Sequence, residues 1–199
     1  LKFGIFDKFW DNQPNHLPLL NLKIDLSDTE TFNLGKSLKL IDGIISENEI
    51  HDIYNDTRKL LTELNWRLHL VALITILKLE KSEQQKFIGF LWKRLCLGTW
   101  VSPQLLVTLS KIDFNFKEKA QLILKEIGLN EFRGNYLSKQ ELAERKFNYA
   151  LTNNKILNSL RYLKDGNFLT EIDDDNGAKI ALNWNEQLSE LNKLKLIKN

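Results

Sequence analysis

One cysteine, Cys96, stands in the whole chain, and a lone thiol excludes an internal disulfide and any metal site built from several cysteines. A reducing compartment suits such a chain, so the expected location is cytoplasmic. Methionine is absent and the chain opens at Leu1, which keeps open a longer parent protein. No apolar run reaches the roughly 18 residues that a membrane span needs. The longest candidate, Trp66 to Leu79, is shorter and is interrupted by Arg67, His69 and Lys78. The start shows no basic-then-apolar leader. An excess of one charge is missing as well: the net charge is +2, and Lys plus Arg against Asp plus Glu comes to −1 over residues 1–45, +1 over 46–100, +2 over 101–150 and 0 over 151–199. None of these stretches is the basic footprint that phosphate-backbone binding leaves. Folding can still gather Lys111, Lys117, Lys119 and Lys125 with Lys93 and Arg94, but those charges read first as a solvated surface, and nucleic acid is a disfavoured partner.

Signatures of chemistry are also missing. There is no phosphate loop, no nucleophile elbow and no His-Glu-x-x-His pair. His16, His51 and His69 are far apart, and none stands at a spacing that builds a metal site. His69 falls in an apolar helix and reads as a structural histidine, while Cys96 near the end of another reads as inert packing. Asp173-x-Asp175-x-Gly177 has the start of a calcium loop, but the twelfth position is Trp184, where a bidentate acid belongs, so a surface turn is expected. No catalytic residue, cofactor or metal is assigned, and the chain is read as not an enzyme.

What is present is a periodicity of helix starts. Ser46 and Ser82 are each followed three residues later by an acid or amide, Glu49 and Gln85, in the pattern of a capping box. A second series, Asn65, Ser102 and Ser138, precedes apolar helical runs, and both series step by 36 to 37 residues. A repeat of that length reads as stacked helical hairpins, since one hairpin cannot bury its apolar face alone.

Helices are accordingly expected over about 47–63, 66–79, 83–97, from Ser102-Pro103, over about 116–127, from Ser138 to about Thr152, over about 154–164 and over about 184–197. The second is apolar nearly all round and must be enclosed by neighbours. Gly98 and Gly128 are suited to the left-handed position after a helix. Ser138 and Glu141 make a further capping box, with a Glu141–Arg145 pair one turn apart. Phe3, Phe6, Phe9 and Trp10 form a short amphipathic turn, read as folding back to cap the stack, with membrane or partner docking as its alternative. Residues 19–45 alternate too weakly for an assignment.

The run Asn65-Trp66-Arg67-Leu68-His69-Leu70-Val71-Ala72-Leu73, with Ser102-Pro103-Gln104-Leu105-Leu106-Val107 after it, resembles HEAT-type helical repeats over about residues 46–152. Inner helices of that family start with a polar residue, an aromatic or proline, and an arginine. The repeats here are shorter, and Gln104 stands where Arg67 aligns. The resemblance implies a protein-binding solenoid, and in a few members a DNA glycosylase. A glycosylase pocket assembled from Trp66, Trp92, Trp100 and Asp113 lacks a basic track, and Trp66 and Trp92 are more simply core anchors.

The fold class expected is all-α, stacked antiparallel helical hairpins forming a HEAT-like α-solenoid or an irregular bundle. An irregular N-terminal capping segment (1–45), a repeat core (46–152) and a C-terminal capping region (153–199) make one continuous domain. The function expected is a non-catalytic protein-binding adaptor or scaffold; a bacterial immunity-type protein that neutralises a toxin and a HEAT-like DNA-processing enzyme are the alternatives. Abundant Lys, Asn and Ile over Arg and Ala point to an AT-rich, bacterial gene. If the helices from Asn65, Ser102 and Ser138 are equivalent, Arg67, Trp100 and Gln104 share one solvent-facing edge beside free helix N–H groups, and that edge is the candidate binding surface. Caps and packing are the competing reading of the same residues.

Overall fold

A computed structural model describes residues 2–10, 16–23, 33–144, 150–166, 173 and 175–197, with side chains left out at 150–152. Among these residues every regular element is a helix, as the 3.6-residue periodicity required. None of the helices is long and apolar enough to cross a membrane. Residues cluster into two compact units, one of 1–84 with 186–199 and one of 85–185, a division that does not follow the sequence-based bounds at 45/46 and 152/153.

The first unit opens with a 3-10 turn, Gly4–Phe9. Phe3, Phe6 and Phe9 are spaced by three, which is the period of a 3-10 helix, and Phe6 and Phe9 are wholly buried. The aromatic segment therefore folds back into the core. Gly4 has φ +60, and a Cβ there would strike the Asp56 carboxylate, which instead accepts from the Ile5 N–H at 3.0 Å. After α1 (Pro18–Asn21) comes α2, Leu34–Glu47, in the stretch the sequence left unassigned. Its start is fixed by Asn33, whose side chain accepts from the Lys36 N–H at 2.9 Å.

Helices α3 (Ile50–Thr62) and α4 (Trp66–Lys78) form a hairpin. Ile53, Leu60 and Leu61 of α3 are buried as its stripe predicted, whereas Ile50 and Leu64 are exposed. Every residue of α4 from Leu68 onward is buried, with α1, α2 and α3 packed around it. Lys78 can lie inside because its ammonium donates to Asp42 Oδ1 at 2.7 Å and to the Leu196 carbonyl at 2.6 Å. His69 is likewise a core residue, its Nε2 2.9 Å from the Glu63 carbonyl. The short α5, Lys81–Gln85, straddles the limit of this unit.

The second unit continues with α6 (Ile88–Leu97), α7 (Ser102–Ile112) and α8 (Phe116–Gln121), then a π turn at Leu122–Glu126, α9 (Gly128–Gly134), α10 (Lys139–Glu144), α11 (Ala150–Asp165) and α12 (Gly177–Lys193), whose last residues belong to the first unit. Helix α7 lies centrally, packed by α6, α8 and α11. Gly98 and Gly128 both take positive φ, +92 and +74. The helix expected over 83–97 is broken between Gln85 and Ile88. That expected over 116–127 loosens into the π turn, and the stretch between it and Ser138, for which the sequence gives no helix, is largely α9. The helix expected to open at 184 starts at Gly177, because the Asp173 carboxylate accepts from the Ala178 and Lys179 N–H groups at 2.8 and 3.0 Å. These acids cap a helix, as befits a turn at the surface.

Helix starts divide the predicted periodic series. Asn65 caps α4, accepting from the Arg67 N–H at 3.1 Å. Ser138 and Glu141 form the reciprocal box: the Ser138 hydroxyl accepts from the Glu141 N–H at 3.1 Å, and Glu141 Oε2 from the Ser138 N–H at 2.8 Å. Ser46, by contrast, lies in the last turn of α2 and donates to the Gly43 carbonyl, and Ser82 lies inside α5. Ser102 is the first residue of α7, where the N-cap is Val101, and its buried hydroxyl makes no hydrogen bond. Arg145, the expected partner of Glu141, lies outside the described residues; Glu141 pairs instead with Lys93 at 2.8 Å.

Candidate functional site

The three residues proposed from the helix starts sit in different surroundings. Arg67 occupies the first turn of α4 in the first unit, exposed, with its guanidinium over the Trp66 ring at 4.8 Å from the centroid. Trp100 and Gln104 belong to the second unit. Trp100, in the turn before α7, is 61% exposed. Gln104 is only 3% exposed, so it does not face the solvent edge expected of it. The reason is that α7 is buried on every side from Ser102 to Leu109 and its first turn has no wet face to offer.

Two groups able to do chemistry, Cys96 and Asp113, are tied into the interior. Cys96 is buried, and burial pushes its thiol up to about 12, against the weaker opposing effect of Arg133; at neutral pH it is not a thiolate. Trp92 is wholly buried and stands among Phe116, Phe132 and Tyr136, with ring centroids 5.3 to 6.4 Å away. Its indole N–H donates to Asp113 Oδ2 at 2.7 Å, the same oxygen that takes the Lys119 ammonium at 2.7 Å. Burial alone would raise the Asp113 carboxyl, but hydrogen bonds from Lys119, Trp92 and the Asn115 N–H overcome it and hold the group below the usual carboxylate range. The Trp92 N–H and the Asp113 carboxylate thus satisfy each other. Among the described residues no group of three His, Cys, Asp or Glu side chains could hold a metal ion.

The Asp113 carboxylate also shapes the surface. Its Oδ1 accepts from the Asn115 N–H at 3.0 Å, and its carbonyl accepts from the Phe116 N–H at 3.0 Å. This Asx turn between α7 and α8 directs Phe116 inward and leaves Phe114 outside. Phe114 is 89% exposed. It stands at an open cleft of about 460 Å³ within the second unit, lined also by Lys111, Lys117, Tyr162 and Gly166. Partial burial holds the Lys111 ammonium below the ordinary lysine range.

Sequence reasoning placed Lys111 and Lys117 on a surface but did not single out Phe114. The available signal was a large aromatic inside the polar turn Asp113-Phe114-Asn115, out of register with the apolar stripes on either side.

A second cleft, about 570 Å³, lies in the first unit between the N-terminal turn and the end of α2. Lys8 reaches Glu47 there at 3.7 Å, Asp7 Oδ1 accepts from the Phe3 N–H at 2.7 Å, and the Lys2 ammonium stands over the Phe3 ring at 5.2 Å from its centroid. Compared with protein-family models, curated proteins and solved structures, the chain matches none of them.

Proposed function

We propose that this chain is a non-catalytic protein-binding module, an adaptor or scaffold on HEAT-like helical hairpins, which holds its partner at the cleft beside Phe114. The observation that carries this reading is Phe114 itself. A phenylalanine left in water by a hydrogen-bonded turn forgoes roughly 1.5–3 kcal/mol of burial, and that free energy becomes available when a partner covers it. Phe114 is anchored at the base by buried groups, so the turn is ordered before binding and little entropy is lost on docking. Trp100, exposed at the opposite end of α7, offers a second aromatic contact of the kind enriched at interfaces. A toxin-neutralising immunity protein is a special case of the same reading, in which the covered partner is a toxin.

The test is a photoreactive phenylalanine analogue at position 114, with the same analogue at exposed Lys139 as control, irradiated in the native host. A protein adduct formed from 114 and absent from 139 is the expected result. Adducts removed by nuclease would move the reading to nucleic acid, and no adduct at 114 would end it.

A further inference from the structure

Among the described residues, the cleft of the second unit carries two lysines that make no ion pair. Lys111 leaves the last turn of α7 and Lys117 the first turn of α8, on either side of the Asx turn that carries Phe114. Among the described residues neither lysine has a carboxylate within ion-pair distance. Asp113 shares the cleft wall, but Trp92, Lys119 and the Asn115 N–H already occupy its oxygens. An ammonium that is partly desolvated and lacks a counter-charge favours an arriving anion more than a fully hydrated one does. Beside these charges stand two apolar surfaces, the Phe114 ring and the Tyr162 side chain. The volume, about 460 Å³, is within the range of ligand pockets and well beyond that of a single small ion.

Taken with the reading of the chain as a protein-binding module, on which this step rests, these features specify the partner's chemistry. We infer that the cleft of Lys111, Phe114, Lys117 and Tyr162 takes an acidic peptide segment of the partner, with a carboxylate side chain next to an apolar one. The carboxylate lies between the lysines and the apolar side chain covers Phe114. Charge sets the orientation and the encounter rate, and the aromatic contact supplies the desolvated centre.

The experiment pans phage-displayed random dodecapeptides on the whole chain after depletion on the Phe114→Ala variant, which alters only an exposed ring. The expected selection is rich in Asp and Glu adjacent to Phe, Leu or Trp. Synthetic peptides from it should bind the Lys111→Glu/Lys117→Glu variant at least about tenfold more weakly, a loss of about 1.4 kcal/mol, and a Lys139→Glu control unchanged. Affinity should also fall between about 0.05 M and about 0.3 M salt. Selected peptides without acidic excess, no selection at all, or full displacement by inorganic phosphate or duplex DNA would each overturn the inference. Crosslinking at position 114 separates its failure from that of the wider reading: a protein adduct without acidic peptides leaves the module and removes the acidic segment, whereas no adduct removes both.

Discussion

The cleft of the first unit is about 570 Å³ and that of the second about 460 Å³, yet it is the smaller one that we propose as the binding surface. In the first, Lys8 and Glu47 already face each other, and the half-buried Phe3 and Trp10 that line it pack on one another, with ring centroids 5.5 Å apart. In the second, one buried carboxylate takes up the local hydrogen bonds, so that two lysines and a phenylalanine are left over. Volume measures room, but binding free energy comes from groups whose best partner is not yet present. The difference extends inward: the first unit closes around an apolar helix, while the second closes around an aromatic cluster tied to a charge.

The largest effect should come from the apolar centre of the first unit. Leu73 of α4 is wholly buried, and Leu73→Ala should cost about 2–5 kcal/mol in urea melts, through lost transfer free energy and a residual cavity. A loss below about 1 kcal/mol would mean that α4 is not the element the unit closes on. The counterpart in the second unit is Asp113→Ala, expected to cost about 2–3 kcal/mol because it strands the Trp92 N–H and the Lys119 ammonium. It should also release the turn and abolish crosslinking from position 114. Destabilisation with crosslinking intact would uncouple the charge from the surface and remove the proposed link between them.

Acid should distinguish the units next. His16 is 8% exposed and its imidazole is held down to about 4, by burial first and then by Arg67. Between its ordinary value near 6.5 and that depressed one, the unfolded chain takes up a proton that the folded chain refuses. Stability is therefore full above about pH 6.5 and declines as the pH falls towards 4. After allowance for solvent screening the decline is on the order of 1–2 kcal/mol. Asp113, whose folded value is also depressed, contributes stability that is complete above the ordinary carboxylate range and is lost only as the pH falls below it. Amide protection factors, corrected for intrinsic exchange, should thus drop in α4 before α7 between pH 6.5 and 4.5, and His16→Gln should flatten the α4 response. Equal losses in both helices would show that His16 does not set the acid sensitivity of its unit.

Much of this contrast was legible in residue order, and the part that was not has identifiable causes. Helix α4 announced itself because an apolar run with no polar face has to be enclosed. Helix α2 did not, although Leu34, Leu38, Ile41 and Ile44 keep helical spacing, since Ser37 interrupts that stripe, Gly35 and Gly43 lower the helix propensity of the segment, and its capping signal, Asn33, lies outside the repeat. The break at Gln85 and the π turn at Leu122 depend on packing that no window of sequence contains. Phe114 was hidden for a similar reason. An aromatic residue normally reads as core, and its exposure follows from a carboxylate fixed by Trp92, 21 residues earlier in the chain.

The smallest effects fall on two serines that the sequence makes equivalent and the structure does not. Both precede an apolar helix and they are one repeat apart. Ser138→Ala removes the acceptor of the Glu141 N–H and disturbs the returning bond from Glu141, so it should cost about 1 kcal/mol. Ser102→Ala removes a buried hydroxyl that makes no hydrogen bond, at a position where Val101 is the cap and the Thr99 hydroxyl accepts from the Val101 N–H at 3.3 Å. Losing an unsatisfied polar atom relieves a desolvation cost while opening only a small space, and the two nearly cancel. Its expected change is within about 0.5 kcal/mol of zero. Paired thermal melts of the two variants decide the matter: a matching loss of about 1 kcal/mol at Ser102 would restore it as a cap, in a series whose helix starts, Trp66, Ser102 and Lys139, keep the step of 36 to 37 residues although the capping bond is missing at this position.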